Sequence, residues 1–526
     1  MHRGGDASNV SQNFQLVFVT TEVAPWSKVG GLADVMQALP TALASRGHRV
    51  MTVAPRYAEY GDAHDTGVSV PVMQAQYYLC RKADVDHIFV DHPMYCRTTD
   101  IYGSSNVNTY QEAGDFPDLD IRYSILCQAA LAAPMLLWEA RPGPLLFIGN
   151  DWPCAPLALR LKHCVQQAAA AGSCQHHARS AFCIHNLAYQ GTMPISAFPR
   201  LCLPDAALMG SDLPCEGRRH PCAWLQAALS EYDSICTVSP NYAREICSDE
   251  GMAFGMREVL CRRGVSGIMN GLDTVEWDPA ADEWLPVAAR LQGPSDAARG
   301  KAEAKLQLQQ LLGLATDPQA PLLAYVGRLT GQKGMDVLLS SLPLLLGTPT
   351  RLLAEPGASA EGAAAGGLQV ALLGTGEGWM ERALAALSSS FPGRAAGVPK
   401  FDELIAHLLM AAADYVIVPS RFEPCGLVAQ SAARYGAIPI VTAVGGLRDF
   451  VTPEVGYQIP PFGHEDKGQA QREAVASLVA VVKAAVAEYG SEQHREMQNQ
   501  CLGLDLSWAK AAEEWEQTFL SLVAET

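Results

Sequence analysis

The chain contains no uninterrupted apolar run of the roughly 18 to 20 residues that a bilayer-crossing helix needs. Its nearest candidate, around Cys127 to Trp138, is broken by Pro134, so no membrane span is expected. Positive charge is also scarce. The 38 Lys and Arg are outnumbered by 55 Asp and Glu, a net charge of −17, and a surface of that sign is not built to hold nucleic acid or anionic lipid. Cysteine is too sparse, at 15 in 526 residues, and odd in number, for a disulfide-stapled secreted scaffold. Cys154, Cys164 and Cys174 are evenly spaced but lack the close Cys or His pair of a zinc site, so no metal is expected. Residues 1–13 are polar, without the apolar core of a secretory signal; they read as a loose leader, and no transit peptide is evident. The dinucleotide fingerprint Gly-x-Gly-x-x-Gly is missing as well, which argues against a nicotinamide oxidoreductase.

What is present suits large buried cores: 49% of residues are hydrophobic and only 18% charged. Short apolar runs recur, each followed by a loop and a helix-like stretch, the pattern of parallel strands with crossover helices. Leu16 to Val19, Val50 to Val53, His87 to Val90, Leu145 to Ile148, Ala181 to Ile184 and Ile235 to Val238 form one set. Leu322 to Val326, Leu368 to Leu373, Tyr415 to Val418 and Ile438 to Val441 form a second. Two doubly wound α/β domains are expected, the first over 14–264 and the second over 265–504. The Ala/Gly/Pro-rich stretch 347–367 reads as an inserted solvent loop. In the tail, Trp508, Ala512, Trp515, Phe519 and Leu522 fall on one helical face at spacings of three and four, and such a face should dock on something.

Chemistry-bearing residues gather where strands end. After the first strand, Lys28 precedes Gly30 and Gly31 at the start of a helix, where backbone N–H groups and a movable cation suit a diphosphate, although a tight turn with a solvated lysine fits too. In Gly327-Arg328-Leu329-Thr330-Gly331-Gln332-Lys333-Gly334, two cations lie on a strand-end loop, where they could neutralise a departing diphosphate or be ordinary surface charges. Pro419-Ser420-Arg421-Phe422-Glu423-Pro424-Cys425-Gly426-Leu427 places a carboxylate before a helix start, fit to accept from sugar hydroxyls or to serve the helix itself. Asn150-Asp151-Trp152 and His185-Asn186-Leu187-Ala188-Tyr189-Gln190-Gly191 add polar groups at two further strand ends, where a structural His and a capping Asp are the plainer roles.

Together with Thr237 to Pro240, Asn270-Gly271-Leu272-Asp273 and Gly445 to Leu447, these motifs stand in the order of the starch and bacterial glycogen synthases. The chain resembles that family, glycosyltransferase family 5, over about residues 14–525, and its granule-bound starch synthase branch most. The resemblance implies a GT-B fold, two Rossmann-like domains facing across a cleft, with the helix of 505–526 returning to the first. It implies an enzyme that transfers glucose from ADP-glucose to an α-1,4-glucan with retention, without metal or cofactor, in the plastid stroma or on the starch granule. A carbohydrate-binding targeting protein is a further partner it allows. By the same resemblance Lys28, Gly30 and Gly31 contact the donor, Arg328 and Lys333 stabilise departing ADP, and His185 and Asp151 line the sugar site. Glu423 anchors glucose with Cys425, Gly426 and Leu427, and Lys400 lines the adenosine pocket. Four positions depart from the family pattern: Pro153, Gln226, Ala429 and Val444. A soluble starch or glycogen synthase, or a glucan-associated protein without turnover, are the alternatives.

Overall fold

A computed structural model describes residues 13–70, 73–95, 101, 118–162, 178–193, 200–201, 203, 222–347, 367–463 and 468–524. Residues 1–12 of the leader, Cys164, Cys174 and residues 348–366 of the inserted loop lie outside them. The chain divides into two compact units: Met1–Val238 with Ala243–Ile268 and Trp508–Thr526, and Ser239–Tyr242 with Met269–Ser507. The first unit therefore continues past Gly264 and also takes in the tail.

The first unit is built on a nine-stranded sheet ordered β11-β10-β7-β6-β1-β2-β5-β4-β3. Its strands are β1 (Gln15–Val19), β2 (Arg49–Pro55), β3 (His64–Val70), β4 (Ala75–Lys82), β5 (Val85–Asp91), β6 (Leu145–Asn150), β7 (Arg179–Ile184), β10 (Ser234–Thr237) and β11 (Ser266–Gly267). The short pair β8 (Thr192–Met193) and β9 (Cys222–Ala223) stands apart. β1 has Leu16, Val17, Phe18 and Val19 all fully buried, as expected of a central parallel strand covered on both faces. The strands read from the first set of apolar runs lie in this sheet, which at one edge is antiparallel: β4 runs antiparallel to both β3 and β5. β3 and β4 mix polar and apolar residues instead of forming apolar runs, and β4 turns into β5 through Ala83 and Asp84, both at positive φ (50° and 57°). That is the backbone of a two-residue hairpin turn without its usual Asn-Gly signature.

The second unit carries six parallel strands in the order β14-β13-β12-β15-β16-β17. They are β12 (Leu322–Val326), β13 (Gln369–Leu373), β14 (Ala395–Val398), β15 (Tyr415–Val418), β16 (Ile438–Thr442) and β17 (Tyr457–Ile459). Apolar clusters cover the two faces of this sheet, one including Leu322, Ala324 and Val416, the other Leu323, Tyr325 and Ile417. The alternation follows from the period of two along a strand.

Strand order locates the ligand edge of each sheet. In the second unit the chain leaves β12 towards β13 and β14, then returns to β15 on the other side of β12. In the first, it leaves β1 towards β2 and returns to β6. Such reversals open a crevice at the carboxyl ends of the two strands, which is where open α/β sheets bind ligands. The tail forms the helix Ala509–Ala524, with Trp515, Phe519 and Leu522 buried. Phe519 meets Phe14 edge-on at 5.7 Å, and Glu516 receives Arg46 at 2.7 and 2.8 Å and His48 at 2.9 Å. No described helix is long and apolar enough to cross a membrane alone.

Candidate active site

At the reversal of the first sheet, the loop after β1 turns inward on its own acid. Glu22, 3% exposed, accepts hydrogen bonds from the Val29 and Gly30 amides at 2.6 and 3.1 Å. The Gly30 N–H expected to face a phosphate is thus spent on Glu22, and Gly31 opens the helix Gly31–Ser45. Lys28 is half-exposed and paired with Asp34 at 2.7 Å.

Asp151 follows β6 with φ 57° and ψ 176°, a conformation that costs an L-residue energy and is held only where its surroundings enforce it. Here the side chain is clamped by the amides of His185 and Asn186, at 2.7 and 3.2 Å from Oδ1. The structure therefore brings Asp151 and His185 together. Burial raises the Asp151 carboxyl to about 7, against the pull of those two amides. The next-door Asn150 donates to the Val19 and Ile148 carbonyls at 3.0 and 3.2 Å, which turns its Oδ1 towards His185 Nε2, 2.9 Å away. An acceptor there requires the proton on Nε2 and leaves Nδ1 as an acceptor. Burial lowers the His185 pKa to about 3, so the ring is neutral at ordinary pH.

The Asp151 shift makes a signed prediction. With a folded value near 7 and an ordinary value of 3.8, the folded chain holds more protons than the unfolded one in between, so this group's stabilisation is present below about pH 4 and lost as pH rises through 7. Thermal melts between pH 5 and 8 should fall more steeply for the parent than for Asp151→Asn, which keeps the amide acceptor and tolerates positive φ. Parallel curves would remove the assignment.

In the second sheet, the loops after β12 and β15 meet. Lys333 Nζ lies 2.6 Å from Glu423 Oε2, and the buried Ser420 hydroxyl donates to the same oxygen at 2.8 Å. Glu423 is only 9% exposed, so these donors offset much of its desolvation. Two glycines allow the approach. Gly334 has φ 66°, and a Cβ there would stand 1.8 Å from the Pro419 carbonyl; Gly445 has φ 45°, and its Cβ would stand 2.0 Å from the Glu423 carbonyl. Arg328 is on the same loop as Lys333, its guanidinium 3.4 Å from Gln332 Oε1. Cys425 is buried, its thiol pushed up to about 12 by that burial, which makes it a packing group and not a nucleophile. Gly426, at φ 89°, precedes the helix Leu427–Arg434. Lys400 stands apart at the end of β14, exposed and paired with Asp402 at 2.6 Å. Sequence reasoning had not singled out Glu22, Asn150 or Ser420 as contributors. Asn150 and Ser420 lie inside motifs already noted and Glu22 lies six residues before Lys28, but the role of each depends on a partner elsewhere in the fold or on the direction of its side chain.

Of the four departures, Ala429 is buried and Pro153 lies within the short helix Trp152–Cys154, while Gln226 belongs to the helix Trp224–Leu229. Val444 occupies the N-cap of the helix Gly445–Phe450 and offers no side-chain cap. Val444→Thr would supply a hydroxyl acceptor worth about 1 kcal/mol. A raised melting temperature together with a lower donor KM is the expected result, and an unchanged melt would count against it. Among the described residues no cluster of His, Cys, Asp and Glu could hold a metal ion.

Each of the two α/β units carries polar loops at a strand reversal, and likeness to known proteins puts this pair of units in the GT-B class of glycosyltransferases. A family model described as the starch synthase catalytic domain matches residues 15–262, and one for group 1 glycosyl transferases matches 320–480. Granule-bound starch synthase 1 of Solanum tuberosum is 38% identical, over 98% of this chain and 83% of that protein; its Zea mays counterpart is 36% identical, over 97% and 84%. In fold, the chain is similar to the catalytic domain of starch synthase IV from Arabidopsis thaliana, solved with ADP and acarbose, at a TM-score of 0.77 and 24% identity over 98% of this chain and 100% of that one. The chain belongs to the starch synthase family.

Proposed function

We propose that this starch synthase transfers glucose from ADP-glucose to the non-reducing end of an α-1,4-glucan with retention, that it is the granule-bound, amylose-forming kind, and that it works in the plastid on the starch granule. The observation that carries the transfer reading is the Lys333–Glu423–Ser420 cluster at the reversal of the second sheet. Breaking the bond between the glucose C1 and the diphosphate oxygen builds negative charge on the leaving group, and Lys333 and Arg328 are the cations offered to it. Lys333 and Ser420 both address Glu423 Oε2, which leaves Oε1 to accept from sugar hydroxyls. Neutral His185 presents Nδ1 as an acceptor, and Asp151 holds the His185 backbone in place. Lys28 adds charge for the donor, Gly30 and Gly31 let its loop approach closely, and Lys400 serves the adenosine end. Cys425, Gly426 and Leu427 shape the wall behind the glucose. No metal or cofactor enters this scheme. The granule-bound reading rests on the Solanum tuberosum and Zea mays relatives, whose names also place them in chloroplast or amyloplast.

The test is single-turnover transfer from radiolabelled ADP-glucose, with UDP-glucose as comparator, to maltooligosaccharides and to starch granules. Labelled linear glucan formed faster from ADP-glucose and retained on granules is expected. ADP binding without transfer would replace this reading with a non-catalytic, glucan-associated one.

A further inference from the structure

Lys333 and Glu423 are 90 residues apart in sequence and lie on loops after two different strands, yet their charged atoms stand 2.6 Å from each other. Strand pairing alone does not set that distance, because β12 and β15 share register only at Leu323–Tyr415 and Ala324–Val416, well below the loops. A separate set of bonds joins the loops themselves. The Arg421 amide donates to the Gln332 carbonyl at 2.8 Å, and the Gln332 side-chain amide reaches the Phe422 carbonyl at 3.4 Å. The Arg421 guanidinium then grips both oxygens of Asp336 at 2.7 Å each and the Gly331 carbonyl at 2.5 Å. Asp336 stands in the first turn of the helix Met335–Leu346, so Arg421 binds the residues on both sides of Lys333.

Arg421 is 7% exposed. Burying a guanidinium is expensive and brings little net stability even when it is paired, whereas a two-pronged carboxylate contact fixes direction as well as distance, which a lysine cannot do. Resting on the transfer function proposed above, we propose that Arg421 is a positioning residue: through Asp336 and Gly331 it sets where the Lys333 ammonium stands relative to Glu423, without touching substrate. A displacement of about 1 Å in such a constellation can cost about 10²-fold in rate.

The test compares Arg421→Lys, which keeps the charge and loses the fork, with Asp336→Asn, which breaks the same fork from the other side. Single-turnover glucose transfer should fall 10- to 100-fold in each, with the ADP-glucose KM changed by less than about threefold, and the double variant should be no worse than the poorer single one. Hydrogen exchange should speed up at residues 327–334 and 419–426, while the last two turns of the helix Met335–Leu346 keep their protection. This second readout needs no turnover, so a parent without transferase activity would sink the function proposed above and still leave the fork to be judged by exchange. Should Arg421→Lys fail to fold, Asp336→Asn decides alone. Rates within twofold of the parent in a folded variant, a KM effect without a kcat effect, additive losses, or unchanged exchange in the two loops would overturn the proposal.

Discussion

Glucose transfer by Glu423→Ala is expected to fall by about 10²-fold or more, the usual loss when a preorganised charge contact at a reacting centre is removed. The fold should survive, because the deletion takes away a nearly buried carboxylate that costs energy to desolvate. It does, however, release Lys333, whose ammonium is held at 2.6 Å by that carboxylate. Lys333→Ala should lower transfer by a similar factor but reduce stability more, since it leaves Glu423 in a site only 9% exposed with, among the described residues, the Ser420 hydroxyl as its remaining side-chain donor. The double variant should be little worse in rate than either single one, as for groups acting as a unit. Near-parent single-turnover rates in both single variants would remove this cluster from the reaction.

The second large effect is structural. Stopping the chain after Ser507 removes the helix Ala509–Ala524 together with Trp508, and exposes the surface of the first unit that Trp508, Trp515, Phe519 and Leu522 cover, all of them 7% exposed or less. At about 1.5 to 3 kcal/mol for each large side chain, the upper-bound loss is roughly 6 to 12 kcal/mol, comparable with the whole stability of a typical domain. Arg46 and His48 also lose Glu516. Calorimetry should show the first unit melting far below its parent temperature or already unfolded, with the transition of the second unit retained, because the Leu272 amide still finds the Leu506 carbonyl at 2.7 Å. Phe519→Ala is the milder version, with an expected loss of about 3 to 5 kcal/mol. Unchanged melting of the truncated chain would mean that this face is not what holds the unit together.

Each of the ten apolar runs noted in the sequence coincides with or overlaps a strand of one of the two sheets, because a parallel strand buried on both faces must be apolar along its length. The same logic made the site motifs visible. A buried strand ends where glycine and polar residues begin, and those ends are where open α/β sheets expose backbone to ligands. The tail helix could be read for a similar reason, since its covered face is written in spacings of three and four. Strands that bury only part of one face, such as β3 and β4, carry no such run, and the antiparallel pairing of β4 with β5 emerged only with the turn at Ala83 and Asp84.

Which loops carry the cations, the carboxylates and the histidine is legible in local pattern: an apolar run, a stop, a charged residue. Tertiary structure alone decided how those groups use one another. Strand order sets β15 beside β12 although β13 and β14 lie between them in the chain, and only that reversal makes Lys333 and Glu423 partners. Glu22 takes up the amides of Val29 and Gly30, and the Asp151 carboxyl rises to about 7, because burial and hydrogen bonding are properties of a packed environment. A side chain's charge is local information; the dielectric around it and the partner facing it are supplied by residues far away along the chain.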